Sequence, residues 1–170
     1  MKKNILSLAV FALSVCSFAQ QITLEGIYGG KYRENSLYGV NSLNDGENYT
    51  VLTKEGLVKR SYASTLKKDE AADVVLVPGK FEGYEFSNNE RYVLLQTNAN
   101  QIYRHSFTAK FEVYDTQTKA KTLVFDGKGI QEPLFSPDAS KVAFAFDNNL
   151  YIQDLKSNKV TQVTTDGKKN

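Results

Sequence analysis

Tryptophan is absent from the 170 residues, and cysteine, methionine and histidine each occur once. One cysteine cannot form a disulfide within the chain, and one histidine cannot build a multi-histidine zinc site from this chain alone. The cysteine, Cys16, and the methionine, Met1, both fall in the first 19 residues, which read as an export signal. Lys2 and Lys3 form its positive start, Ile5 to Val15 a short apolar run, and Ser17-Phe18-Ala19 a small-x-small cleavage site before Gln20. The run is too short to span a bilayer. Val15 is a poor residue ahead of Cys16, which argues against lipid attachment there. The chain is therefore expected to be exported, periplasmic or secreted, with residues 1–19 removed and residues 20–170 forming one domain. An exported product of that kind has no thiol nucleophile.

A surplus of positive charge is also lacking. Lys and Arg number 21 against 19 Asp and Glu, and loss of Lys2 and Lys3 with the signal leaves a formally neutral chain. That removes the electrostatic case for nucleic acid. No G-x-S-x-G, P-loop or H-E-x-x-H occurs. "GKGIQE" (127–132) matches a dinucleotide loop only in its first three residues and follows Asp126 in a turn. It is read as a hairpin connection. Asp126, Asp138 and Asp147 are scattered turn acids, without the ligand density of a calcium loop. Neither a metal nor a cofactor is expected. The formal glycosylation sequon at Asn48-Tyr49-Thr50 is read as coincidental.

What the chain does have is tyrosine and phenylalanine, ten of each, set in strand-like runs. "YVLLQT" (92–97) and "KVAFAF" (141–146) are β-rich, while "KFEVYD" (110–115) and "NLYIQD" (149–154) alternate apolar and polar residues. No window carries a helical stripe. "TLKKDEAAD" (65–73) lacks an apolar face and is expected to be a solvated loop. The turns recur. "SLNDGENYTVL" starts at Ser42, "SNNERYVLL" at Ser87 and "SPDASKVAFAF" at Ser136, each a Ser, an Asn/Asp turn and a strand. "FEVYDTQTKAKTLVF" and "LYIQDLKSNKVTQVT" share a second pattern, an Asp, a polar turn and a returning Thr/Val-rich strand. Four strands per 40–50 residues, roughly, is the period of a propeller blade. The fold expected is thus all-β, an incomplete β-propeller of about three four-stranded blades, roughly 38–80, 81–130 and 131–170. The alternative is an ordinary β-sandwich, which does not predict the same turn at a near-fixed interval. Three blades leave apolar faces and strand edges open, so the chain is expected to be the front piece of a larger protein or to assemble with other chains.

The remaining chemistry lies in "QIYRHSFTAKFEVYD" (101–115). His105 adjoins Ser106, but neighbours on a strand point to opposite faces and no third group orients the imidazole, so a structural histidine is the favoured reading. Arg104 admits two readings. One is a solvated or ion-paired surface arginine. The other is a guanidinium fork aimed at a carbonyl or carboxylate, carried by a connection within a blade toward the central channel.

This segment, "YRHSFTAKFEVYD", resembles the arginine-histidine segment in the propeller of the dipeptidyl peptidase IV-like serine peptidases. "ITLEGIYGG" (22–30) resembles the mature N-terminus of that family, "YGVNSLNDGENYT" (38–50) its first blade, and "PLFSPDASKVAFAFDNNLYIQDL" (133–155) the blade after the arginine segment. The resemblance covers nearly all of residues 20–170. It implies an eight-bladed propeller capping an α/β-hydrolase domain, with peptide substrates bound between them and dipeptides removed after proline or alanine. It implies that Arg104 hydrogen-bonds bound peptide and that His105 supports the site. The paired glutamates and the catalytic serine, aspartate and histidine of that family have no counterpart here. The chain alone is therefore expected to lack peptidase activity and to contribute substrate gating and positioning. The alternatives are a non-enzymatic propeller module that binds a partner, and a gene remnant.

Overall fold

The computed structural model describes residues 22–33, 39–67 and 73–169. The proposed signal, Cys16 included, lies outside them. Two compact units divide the chain, residues 1–36 and 37–170. Among the described residues of the first, a short helix, α1 (Leu24–Tyr28), begins where the Thr23 hydroxyl accepts the Gly26 N–H at 3.0 Å.

The second unit holds three four-stranded antiparallel sheets, each a meander. Sheet I comprises β1 (Asn41–Ser42), β2 (Asn48–Leu52), β3 (Gly56–Ser61) and β4 (Val74–Pro78). Sheet II comprises β5 (Gly83–Phe86), β6 (Tyr92–Gln101), β7 (Phe107–Asp115) and β8 (Lys121–Leu123). Sheet III comprises β9 (Gln131–Phe135), β10 (Lys141–Phe146), β11 (Asn149–Asp154) and β12 (Val160–Gln162).

The recurrent turn is the joint between the first two strands of every sheet. Leu43, Ser87 and Ser136 each donate their N–H to the residue five positions on. Asp45, Asn89 and Asp138 each accept the N–H two residues on, closing an Asx turn. Gly46, Glu90 and Ala139 take the left-handed conformation, with φ of 68°, 55° and 57°. The register corrects the sequence alignment: Leu43, not Ser42, is the counterpart of Ser87. What repeats is the side-chain acceptor at the third position and the left-handed fourth residue, and a serine at the head is dispensable. The turns are also linked to one another. Asn44 Nδ2 donates to Asn88 O, 44 residues away, and Asn88 Nδ2 to Pro137 O, 49 residues away.

Two other expectations are corrected. Tyr62–Lys67 forms a second helix, α2, so the segment expected to be loop from residue 65 begins as helix. The Ser61 hydroxyl accepts the Ala63 N–H and supplies the start signal that an apolar-stripe criterion overlooks. The second correction concerns residues 124–132. Val124–Gly127 is a 3-10 turn that carries the chain from sheet II to sheet III, and no hairpin forms there.

Sheet II is buried on both faces. Leu57 and Val77 of sheet I pack on Val93, Leu95 and Tyr114. On the other face Leu94, Phe111 and Val113 pack with Val142 and Phe144 of sheet III. That is why "YVLL" is continuously apolar rather than alternating. Each such side chain contributes roughly 1.5–3 kcal/mol on burial. Hydrogen bonds fasten the layers too. The Thr50 and Tyr84 hydroxyls meet at 3.0 Å between sheets I and II. Between sheets II and III, Gln153, 2% exposed, accepts the Phe125 N–H and donates to Leu123 O.

Asp115 closes the β7–β8 turn. It accepts the N–H groups of Gln117 and Thr118 and pairs with Arg91 at 2.8 Å. The Arg91 hydrogen bond, followed by these backbone donors, lowers its pKa to about 2. A carboxylate whose folded pKa is depressed stabilises the fold above its ordinary pKa and loses that contribution as pH falls through the folded value. Urea midpoints measured from pH 5 to pH 2 should therefore fall, and Asp115→Asn should flatten that fall. An unchanged slope in the variant contradicts this role.

Candidate functional site

The middle hairpin of sheet II outgrows its counterparts. Its strands run 10 and 9 residues, against 5 and 6 in β2 and β3, and 6 each in β10 and β11. In sheet III the equivalent turn needs only Asp147 and Asn148, both left-handed. A register shift between Thr97 and Asn100, with Asn98 at φ 52°, marks where the longer hairpin departs from regular pairing. Ala99 N–H is held there by Glu82.

Arg104 and His105 sit in the tip of this hairpin, not on a strand. The argument that strand neighbours diverge therefore does not apply to them. Ile102 and Tyr103 donate their N–H groups to Ser106 O. The Gln101 amide donates to the carbonyls of Tyr103 and Arg104, the latter at 3.1 Å. The backbone of the tip is thus pinned from inside. The guanidinium of Arg104 is exposed and has no hydrogen-bond or ion-pair partner among the described residues. No hydrogen bond joins His105 to Ser106.

His105 lines a cavity of about 320 Å³ between the hairpin and the first strand of sheet III. Leu94, Phe107 and Phe111 give it apolar walls, and residues 132–134 of β9 form its edge. Its polar groups are Glu85, Gln96, His105 and Glu132, and Tyr84 of β5 also borders it. The Tyr84 hydroxyl is engaged with Thr50 and with Gly39 O. Partial burial raises the pKa of Glu85 above the ordinary glutamate value. Arg104 is not among the lining residues, so the structure brings only one member of the pair into the cavity.

Sequence reasoning missed Gln101, Glu85 and Glu132. One signal for Glu132 was present. Proline within a strand marks a bulge or an edge, and Pro133 lies within β9. β9 shifts register against β10 between Ala143 and Ala145, and Glu132 there has φ 48°. Among the described residues, no group of His, Cys, Asp and Glu could hold a metal ion, and no helix is long and apolar enough to cross a membrane.

Residues 87–170 match the family described as the dipeptidyl peptidase IV (DPP IV) N-terminal region. A probable dipeptidyl-aminopeptidase B of Talaromyces marneffei is 32% identical over 175 residues, covering 90% of this chain and 19% of that protein. Another, from Emericella nidulans, is 38% identical over 79 residues, 44% of this chain and 9% of that protein. The crystal structure of Porphyromonas gingivalis dipeptidyl peptidase 4 superposes with a TM-score of 0.71 at 30% identity, covering 87% of this chain and 22% of that one. The chain thus spans about a fifth or less of the length of the relatives it matches. Family match, relatives and superposition agree on a dipeptidyl peptidase IV-like N-terminal region.

Proposed function

We propose that this chain is the substrate-positioning part of an exported dipeptidyl peptidase, and that Arg104 is its peptide-binding group. In this reading residues 1–19 are a signal peptide. The three sheets are consecutive blades of an incomplete β-propeller, roughly 38–80, 81–130 and 131–170. The parent enzyme removes dipeptides from free N-termini after proline or alanine. The chain supplies gating and orientation, and the catalytic groups lie outside it.

The observation that carries the proposal is the unpartnered guanidinium on an overlong, internally pinned hairpin. A surface arginine with no role gains nothing from a tip braced by Gln101. A planar fork held out beside a cavity suits a peptide carbonyl, and its charged hydrogen bond is worth about 1.5–3 kcal/mol. His105, the neighbour of Arg104 in sequence and a lining residue of the cavity, serves as support and not as a catalytic base.

Binding of a fluorescently labelled Ala-Pro peptide to the chain, followed by anisotropy, tests this. Arg104→Ala should weaken binding about tenfold, the effect of roughly 1.4 kcal/mol. Arg104→Lys should recover only part of it, because an ammonium cannot reproduce the fork. Equal affinity in all three proteins contradicts the assignment. No turnover of a Gly-Pro chromogenic amide is expected. Turnover abolished by a serine-directed inhibitor contradicts the placement of catalysis outside the chain.

A second reading, a non-enzymatic module completed by association, draws on the outward face of sheet III. Leu134, Ala143 and Ile152 form a cross-strand row there, and Leu134 and Leu150 are more than half exposed. It requires a discrete oligomer in sedimentation whose Tm rises with protein concentration.

A further inference from the structure

The cavity beside the hairpin contains a second set of unspent groups. Glu85, Gln96, His105 and Glu132 all line it, and their side chains have no hydrogen-bond or ion-pair partner among the described residues. Elsewhere on the chain acidic groups facing cations are paired: Asp45 with Lys59, Asp73 with Arg60, Asp115 with Arg91 and Glu112 with Lys121. The two cavity glutamates come from the first strands of neighbouring sheets, β5 and β9, so the packing of two sheets brings them together. The bulge at Glu132 interrupts the β9–β10 register where that carboxylate meets the cavity. The rest of the lining is hydrocarbon, from Leu94, Phe107 and Phe111.

A ligand matched to this arrangement has a cationic head and an apolar stem. We propose that the cavity is a specificity subsite for a lysine-class side chain of an extended peptide, its methylenes lying on the apolar walls and its ammonium between Glu85 and Glu132. A long cationic side chain buries its stem and keeps its head at the polar rim. Each carboxylate offers a charge-assisted acceptor. His105 and Gln96 form the remaining polar rim. The inference rests on the reading of Arg104 as the contact that holds the peptide backbone nearby, but it adds a discrimination that Arg104 does not make.

The test compares two peptides with both ends blocked, acetyl-Ala-Lys-Ala amide and its norleucine counterpart, titrated into the isotope-labelled chain and followed by NMR. The lysine peptide should bind about tenfold more tightly. Glu85→Gln and Glu132→Gln should each reduce that ratio, and the double variant should abolish it while leaving norleucine binding unchanged. Circular dichroism of each variant verifies folding, and the wild-type ratio needs no variant at all. Arg104→Ala should weaken both peptides alike and preserve the ratio, so failure of the backbone contact and failure of the subsite give different results. Equal affinity for the two peptides, binding of neither, or a preference surviving in the double variant overturns the proposal. A norleucine peptide with a free amino end tests the other source of an ammonium. If it gains affinity that the glutamate variants remove, the cavity belongs to an amino terminus and the side-chain assignment is wrong.

Discussion

Replacing Gly56 with alanine is expected to lower the melting temperature by roughly 6–12 °C, the shift of about 3 kcal/mol in a domain of this size. Gly56 opens β3 with φ 136°, where L side chains rarely sit. A Cβ there would stand 2.1 Å from Val77 O in the adjacent strand, and 3.1 Å from the backbone at Gly79 and Pro78. All three obstacles are backbone, so no rotamer relieves them. The strand β4 must move away, and with it Val77, which is fully buried against sheet II. The control is Gly46→Ala. That glycine also has positive φ, 68°, but no atom lies within 4 Å of the added carbon. Left-handed strain alone, about 1–2 kcal/mol, is its whole penalty. Equal losses in the two variants would show that the close approach of β4 contributes nothing.

The second large effect is expected at Gln153. Its side chain reaches from β11 into the turn after β8, accepting the Phe125 N–H at 2.8 Å and donating to Leu123 O at 3.0 Å. The turn needs the help. Phe125 and Asp126 are both left-handed, with φ 48° and 52°, a conformation unfavourable for an aromatic residue. Packing offsets part of the strain. The Phe125 ring lies 4.9–5.3 Å from the rings of Phe144, Phe146 and Tyr151, and Lys128 Nζ sits 4.5 Å from its centre. Gln153→Leu keeps the volume and removes both hydrogen bonds. Two interior backbone groups are then left without their partner, at about 1–3 kcal/mol each. A loss near 3 kcal/mol in urea unfolding is expected, with faster amide exchange at Phe125 than at Val113 in the same protein. A loss below about 1 kcal/mol would mean that water replaces the amide and that the inter-sheet clamp is not a stability element.

The repeated turn was the most legible part of the sequence, because its chemistry is local. An acceptor at the third position and a tolerant fourth residue can be read from Asn44-Asp45-Gly46 and Ser136-Pro137-Asp138 without knowing their partners. The one-residue error at Ser42 arose from treating the serine as the invariant: the Ser87 and Ser136 hydroxyls do bond to Asn89 and Asp138, but in sheet I that position is Leu43 and only its backbone is used. Sheet II was legible for a related reason. "YVLL" is apolar without alternation, as a strand covered on both faces must be. The start of α2 at Tyr62 was missed because its signal is a hydroxyl cap, which hydrophobic periodicity does not detect.

The site was legible only in part. Arg104 and His105 stand out as the sole arginine-histidine pair between two strands, yet nothing local reveals that the hairpin is longer than its counterparts. That becomes visible once β2–β3 and β10–β11 are seen to close with short turns. Glu85 and Glu132 lie 47 positions apart, and only the packing of sheet II on sheet III places them in one cavity. The Gln101 brace depends on backbone carbonyls, which every residue has and no pattern marks.

The proposed function stands or falls on whether the β6–β7 hairpin presents Arg104 to a peptide beside β5 and β9. The most direct measurement is a titration of the ¹⁵N-labelled chain with a blocked Ala-Pro peptide, following the arginine side-chain Nε–H signals and the backbone amides. The account expects the Arg104 Nε–H to shift most, together with amides of 101–107 and of the cavity strands at Glu85 and Leu134. Shifts confined to the fourth strands β4, β8 and β12, or an Arg104 signal unmoved at saturating peptide, would contradict it.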